Sequence, residues 1–212
     1  MEEGRRERKK RQTKQQISDI ATGLFLEHGF GTVTVAEIAE LADVSVNTVY
    51  NYFPAKEDLF LDRGEDVVGR LSRFVRGRDV GESAARAVLR ETRAEVAAVS
   101  PRVGLVDGYD RYLRVVEGAP ALQARLRRVQ QEACEDIERT LREEAGAAPG
   151  DPRPLLVGGQ LAWLQRCLTD FVAREMVKAR PAAEVSRDAL VLLDDIEDLW
   201  GEQVLAYAVR AA

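Results

Sequence analysis

Histidine occurs once and cysteine twice in the 212 residues, and aromatic residues make up only 6% of them. The two cysteines, Cys134 and Cys167, lie far apart and match no metal-ligand spacing. We read both as buried small hydrophobes with reduced thiols. The lone histidine, His28, sits at a helix end beside glycine and reads as a C-terminal cap rather than a base. No apolar run approaches the roughly 20 residues that cross a bilayer. The first residues are charged rather than apolar, so no secretory signal is expected and the protein is read as cytoplasmic, with no membrane partner. A phosphate-cradling loop is also missing. Val157-Gly158-Gly159-Gln160 falls inside a helical pattern, where small residues serve close helix packing. Asp194-Asp195 and Glu197-Asp198 form one solvated acidic face without identifiable partners for a metal. These absences leave no catalytic residue, no metal site and no cofactor to name. An enzyme survives only as an unrecognised activity of the C-terminal half.

What is abundant is helix-forming material. Hydrophobic residues make up 45% of the chain and charged residues 32%, the balance of a Leu/Ala/Arg/Glu-rich helical protein. Net charge is −5, but its distribution is uneven. Residues 1–14 carry Arg5, Arg6, Arg8, Lys9, Lys10, Arg11 and Lys14 against three glutamates, a net +4. Residues 15–60 carry one base, Lys56, against seven acids, a net −6. We therefore expect a basic, flexible N-terminal arm over 1–14, with Arg8, Lys9, Lys10, Arg11 and Lys14 available to phosphates or a minor groove.

From Gln15 to His28, Ile17, Ile20, Ala21, Leu24 and Phe25 recur at helical spacing, and glycines at 29 and 31 end the stripe. Thr34-Val-Ala-Glu37 has the pattern of a capping box and opens a short helix with Ile38, Ala39 and Ala42 inward. Asp43-Val44-Ser45 breaks it, and Ser45 caps a third short helix over Val46–Phe53. Helices this short do not persist alone, so the three must pack as one unit. Their order is that of a helix-turn-helix. On the third helix Val49 and Phe53 face inward, whereas Asn47, Thr48 and Asn51 face outward, flanked by Tyr50 and Tyr52 and led by Val46. That outer face carries amides and hydroxyls but no charge. Amides can pair with adenine edges and hydroxyls with phosphates.

Ile17–Leu59 resembles the DNA-binding domain of the TetR family of bacterial regulators. The matching residues include Leu24-Phe25, Gly29-Phe30, Thr34, Ile38-Ala39, Val44-Ser45, Thr48, Tyr50, Tyr52-Phe53 and Lys56-Glu57. Asp43 departs from the glycine usual in the turn, although aspartate tolerates left-handed backbone better than most residues. The resemblance implies that Thr34, Thr48, Tyr50, Tyr52 and Lys56 hold phosphates while Val46, Asn47 and Asn51 face bases.

Beyond Pro54 the pattern stays helical: Glu57–Arg76, Gly81–Val99, Val103–Glu117, Ala121–Ala145, Leu155–Ala179 and Glu184–Arg210. The fold expected is all-α with about nine helices. A helix-turn-helix domain over 15–60 precedes a helical ligand-binding and dimerisation domain over 61–212. The last two helices are apolar on more than one face, which calls for cover from another chain. The resemblance implies that they build a homodimer. It also implies an effector pocket, for which Tyr109, Tyr112, Gln130, Trp163, Cys167 and Phe171 are the candidates. The partners expected are a double-stranded DNA operator, a small-molecule effector and a second copy of the chain. The function implied is a repressor released from a near-palindromic operator by its effector. A ligand-independent regulator or activator is the alternative; an α-helical enzyme or an interaction scaffold is more remote.

Overall fold

The computed structural model describes residues 4–62 and 64–211, with Arg5 and Glu65 described by backbone alone. Twelve α-helices and one 3-10 turn account for the regular structure, with no strand among the described residues. They are α1 (Arg5–His28), α2 (Val35–Leu41), α3 (Val46–Tyr52), α4 (Lys56–Phe60), α5 (Gly64–Val68), α6 (Arg70–Arg76), α7 (Ala84–Ala97), α8 (Tyr109–Glu117), α9 (Pro120–Glu144), α10 (Arg153–Val177), α11 (Ala182–Leu199) and α12 (Glu202–Leu205), with the 3-10 turn at Pro101–Val103. The all-α expectation holds, but the helices are more numerous than nine because three expected helices are interrupted. Glu57–Arg76 becomes α4, α5 and α6, broken at Leu61 and again at Gly69. Glycine is a poor helix former, and Gly201 likewise separates α11 from α12. Val103–Glu117 is broken by Gly104 and Gly108, both at positive φ, where glycine carries no Cβ penalty.

Two compact units result, and they are not consecutive in sequence. One comprises the chain to Glu65 together with Arg111–Arg128; the other comprises Asp66–Asp110 and Val129–Ala212. The expected boundary at residue 60 therefore misses a returning segment. Its cause is apolar: Val116, Ala119 and Leu122 are buried in the same core as Ile17, Ala21 and Phe25 of α1 and Leu59 and Phe60 of α4. Tyr112 stacks on Phe60 with ring centroids 4.7 Å apart.

The second unit is built on the stripes of α7, α10 and α11. Val88, Leu89 and Val96 of α7 share a core with Leu161, Leu164, Leu168 and Val172 of α10 and Val185, Ala189 and Leu193 of α11. Gly158 lets α10 run against the α9 backbone at Glu138, the close packing that its small size suggests. Arg78 is buried in this unit. Its guanidinium donates to the carbonyls of Val75 at 2.6 Å and Ala208 at 3.1 Å, and pairs with Glu144 at 2.6 Å. It thereby ties the end of α6 to α9 and to the chain's last turn. Nothing in its sequence context singles this arginine out. Among the described residues, no helix is long and apolar enough to cross a membrane.

Candidate nucleic-acid interface

The first helix sets the geometry. Ile17, Ala21 and Phe25 lie fully buried along α1, spaced four residues apart. The helix begins at Arg5, so the expected flexible arm is instead its first turns; residues 1–3 lie outside the described residues. The correction has a simple cause. Residues 5–14 are arginine, lysine, glutamate and glutamine apart from Thr13, all strong helix formers, with Glu7 in the favourable first turn. Arg8, Lys9, Lys10 and Arg11 are exposed, and Lys14 lies half-buried with its ammonium 5.5 Å from the Phe53 ring centroid.

At the other end of α1, Gly29 takes φ 83°, which requires glycine. His28 does not cap the helix as expected. The Thr32 hydroxyl does so, positioned to donate to the His28 carbonyl at 2.6 Å and to that of Gly29 at 3.1 Å.

The capping box of α2 is present. The Thr34 hydroxyl oxygen accepts from the Glu37 N–H, and the Glu37 carboxylate accepts from the Thr34 N–H at 2.6 Å. The Thr34 hydroxyl also donates to that carboxylate at 2.8 Å. These bonds, first the one from the Thr34 N–H, hold the Glu37 carboxyl below the usual glutamate range, with smaller help from the charges of His28 and Lys56. The helix ends in a Schellman motif. Val44 N–H reaches Ala39 O at 3.0 Å, Asp43 N–H reaches Glu40 O at 3.2 Å, and Asp43 sits at φ 53°. The left-handed aspartate that the sequence suggests is therefore built into the turn.

Ser45 caps α3, accepting the Thr48 N–H at 3.0 Å, and its hydroxyl lies 2.8 Å from that of Thr48. Val49 is fully buried, as is Phe53 at the helix end. Val46, Asn47, Tyr50 and Asn51 are exposed together on the outer face. Thr48 and Tyr52 are half-buried, and Tyr52 packs against the core of the unit. Lys56, expected to hold a phosphate, also has partners within the protein. Its ammonium donates to the Phe30 carbonyl at 2.5 Å and lies 4.4 Å from the Phe30 ring centroid. Partial burial pushes this amine below the usual lysine range, opposed by the charges of Glu57 and Glu37.

The expected effector residues are not assembled in one place. Tyr109, Trp163, Cys167 and Phe171 border the core of the second unit. Tyr112 belongs to the first unit, held there by Phe60, and Gln130 is exposed on α9. Tyr109 is pinned against Gly104, where an added Cβ would come within 2.8 Å of its ring. Burial, and secondarily the charge of Asp170, pushes its phenol above the usual range. Of the cysteines expected to be buried, Cys134 is exposed and Cys167 half-buried, because Cys134 falls on an outward position of α9.

Residues 17–62 match the family model of bacterial regulatory proteins of the tetR family. This segment is similar to the DNA-binding part of the TetR family. The similarity rests on the DNA-binding helices and extends to two regulators. The HTH-type transcriptional regulator LuxR of Vibrio harveyi is 47% identical over 62 residues, 29% of this chain and 30% of that protein. The HTH-type transcriptional regulator TcmR of Streptomyces glaucescens is 32% identical over 126 residues, 57% of this chain and 55% of that one. The matches thus span a third to about half of the length of these curated relatives. Among solved structures, NalD of Pseudomonas aeruginosa, the secondary repressor of the MexAB-OprM multidrug efflux pump, shares the fold at 21% identity. It superposes with a TM-score of 0.52, covering 88% of this chain and 96% of that one. A SmeT–triclosan complex shares it at 18% identity with a TM-score of 0.55, covering 88% and 90%. TetR-family relatives are transcriptional regulators, not enzymes.

Proposed function

We propose that this protein is a homodimeric TetR-family repressor that reads a near-palindromic operator with α3 and leaves it when a small molecule binds. The observation that carries this reading is the outer face of α3. Val46, Asn47, Tyr50 and Asn51 stand exposed together on a helix whose other side is locked into a core. A helix so mounted presents base-reading amides in a fixed register. Asn47 and Asn51 contact base edges with Val46, while Tyr50, Thr48, Thr34 and Tyr52 hold phosphates at the margins. The cationic first turns of α1 supply the electrostatic attraction that residues 15–60 lack.

The second copy docks on α10 and α11. Leu155, Leu156 and Val177 on α10 and Val191 and Leu199 on α11 are each more than half exposed, apolar side chains that a second copy would cover. Two-fold symmetry of such a dimer implies two related half-sites. The effector site is proposed beside Tyr109, Trp163 and Cys167 in the second unit, without Tyr112 and Gln130. Coupling of about 1–3 kcal/mol between the sites would change operator occupancy about 5–150-fold. Binding of a labelled duplex by Asn51→Ala and Tyr50→Ala tests the docking. Asn51→Ala should relax base choice, and Tyr50→Ala should weaken all duplexes alike. Unchanged binding by both would exclude this face as the reader.

A further inference from the structure

An open groove of about 410 Å³ runs between α10 and α11 beside Val191, one of the exposed residues of the face assigned to the second copy. Phe171 of α10 and Val191 of α11 form its apolar walls. Within it Arg180 is held by Glu175 and Asp188, each at 2.8 Å. Asp195, one turn beyond Val191, is the remaining acid and stands exposed. Asp194 and Glu197 of the same helix both pair with Arg93 of α7. Asp195, by contrast, is in no ion pair among the described residues.

A charge of the opposite sign is open on the same pair of helices. Arg174 of α10 is exposed, and among the described residues it is in no ion pair, not even with Asp170 one turn earlier. Arg174 and Leu156 are 18 residues apart (174 − 156), five full turns of α10, so both stand on one line of the helix. Leu156 is one of the exposed apolar residues of the face assigned to the second copy. We propose that the groove receives the Arg174 side chain of a second copy, its guanidinium on Asp195 and its methylenes along Phe171 and Val191. This rests on the dimer proposed above and adds the contact that selects the partner.

A two-fold dimer makes this contact twice, since what Arg174 of one copy does to Asp195 of the other is returned in kind. Position favours it. The helices α10 and α11 run antiparallel from the turn after Val177, with Arg174 near that turn and Asp195 far along α11. A two-fold axis that crosses the helices between those levels exchanges the two positions. Chemistry favours arginine as the occupant. Its planar guanidinium bonds a carboxylate through two N–H groups and can lie on an aromatic ring. Its apolar stem covers Phe171 and Val191, which a small cation would leave wet. A copy carrying the wrong charge at either position would set like charges together, so the same contact rejects mismatched chains.

The test is sedimentation equilibrium of the full chain without DNA. D195R and R174D should each weaken the dimer about tenfold or more, because each sets like charges together twice. Mixed in equal amounts, the two variants should form a heterodimer about as tight as the parent dimer, since both contacts are restored. D195R/R174D in one chain should regain the homodimer for the same reason, which separates loss of charge from loss of fold. R166D should match the parent: Arg166 stands about 140° around α10 from Phe171, and its charge bears on Cys134 of α9. The proposal is overturned if D195R or R174D dimerises like the parent, if either recombination fails to regain affinity, or if R166D weakens the dimer as much as R174D. A monomeric parent overturns it together with the dimer reading, whereas a dimeric parent with unaffected variants overturns it alone.

Discussion

The ammonium of Lys56 is bound to the carbonyl of Phe30, 26 residues earlier in the chain, at 2.5 Å. It also lies over two rings, 4.4 Å from the centroid of Phe30 and 5.5 Å from that of Phe25. This residue therefore fastens the start of α4 to the loop between α1 and α2. Any phosphate contact it makes must share the same ammonium, which has three protons to give.

Lys56→Met should accordingly lower stability by about 1–2 kcal/mol, from the lost charged hydrogen bond and ring contacts, in urea unfolding. If Lys56 also reaches a phosphate, the same change lowers the salt dependence of DNA binding by about one counterion. An unchanged salt slope with reduced stability would confine Lys56 to the loop.

Asp43→Gly should stabilise the protein by roughly 0.5–1 kcal/mol. Asp43 occupies the left-handed position of the Schellman motif at φ 53°, where glycine has no Cβ to strain. Greater freedom of glycine in the unfolded chain limits the gain. Thermal unfolding of the two proteins side by side reads the difference.

Acid should loosen α2 through Glu37. Its carboxyl is held below the usual range in the folded protein, chiefly by the Thr34 N–H. The stabilisation is therefore complete above the unfolded-state value of about 4.3 and is lost as pH falls through the lower folded value. Glu37→Gln should flatten this part of the stability-versus-pH curve while leaving its upper branch in shape. An identical acid limb in the variant would show that the cap contributes nothing there.

Leu156→Glu combined with Val191→Glu should convert the dimer to monomer in sedimentation equilibrium, because both side chains stand exposed on the face assigned to the second copy. Operator affinity should fall with it, since each monomer then binds one half-site. A dimer that persists would move the interface elsewhere.

The short-range features of the first unit were legible in sequence because each is local. Thr34 and Glu37, Ser45 and Thr48, and the stripe Ile17–Ala21–Phe25 lie within one or two helical turns, where spacing and geometry are equivalent. Long-range relationships were not. Nothing near Val116 or Leu122 shows that they join the core of α1, and nothing near Phe30 shows that its carbonyl receives Lys56. Tyr112 is a pocket candidate through the family resemblance alone, since an aromatic at helical spacing is core more often than ligand site, and its stacking on Phe60 is a core contact. The concentrated charge of the basic segment points to a solvated arm. The same arginines and lysines are good helix formers once α1 supplies a nucleus.

Selection of bound duplexes from a random pool, followed by footprinting on the enriched sequence, tests the central claim most directly. The account predicts a near-palindromic site whose two half-sites lie about one helical turn or a multiple apart. It also predicts that Asn51→Ala broadens the selected bases at the same positions in both halves. Enrichment of no sequence, or of one that Asn51→Ala selects unchanged, would contradict it.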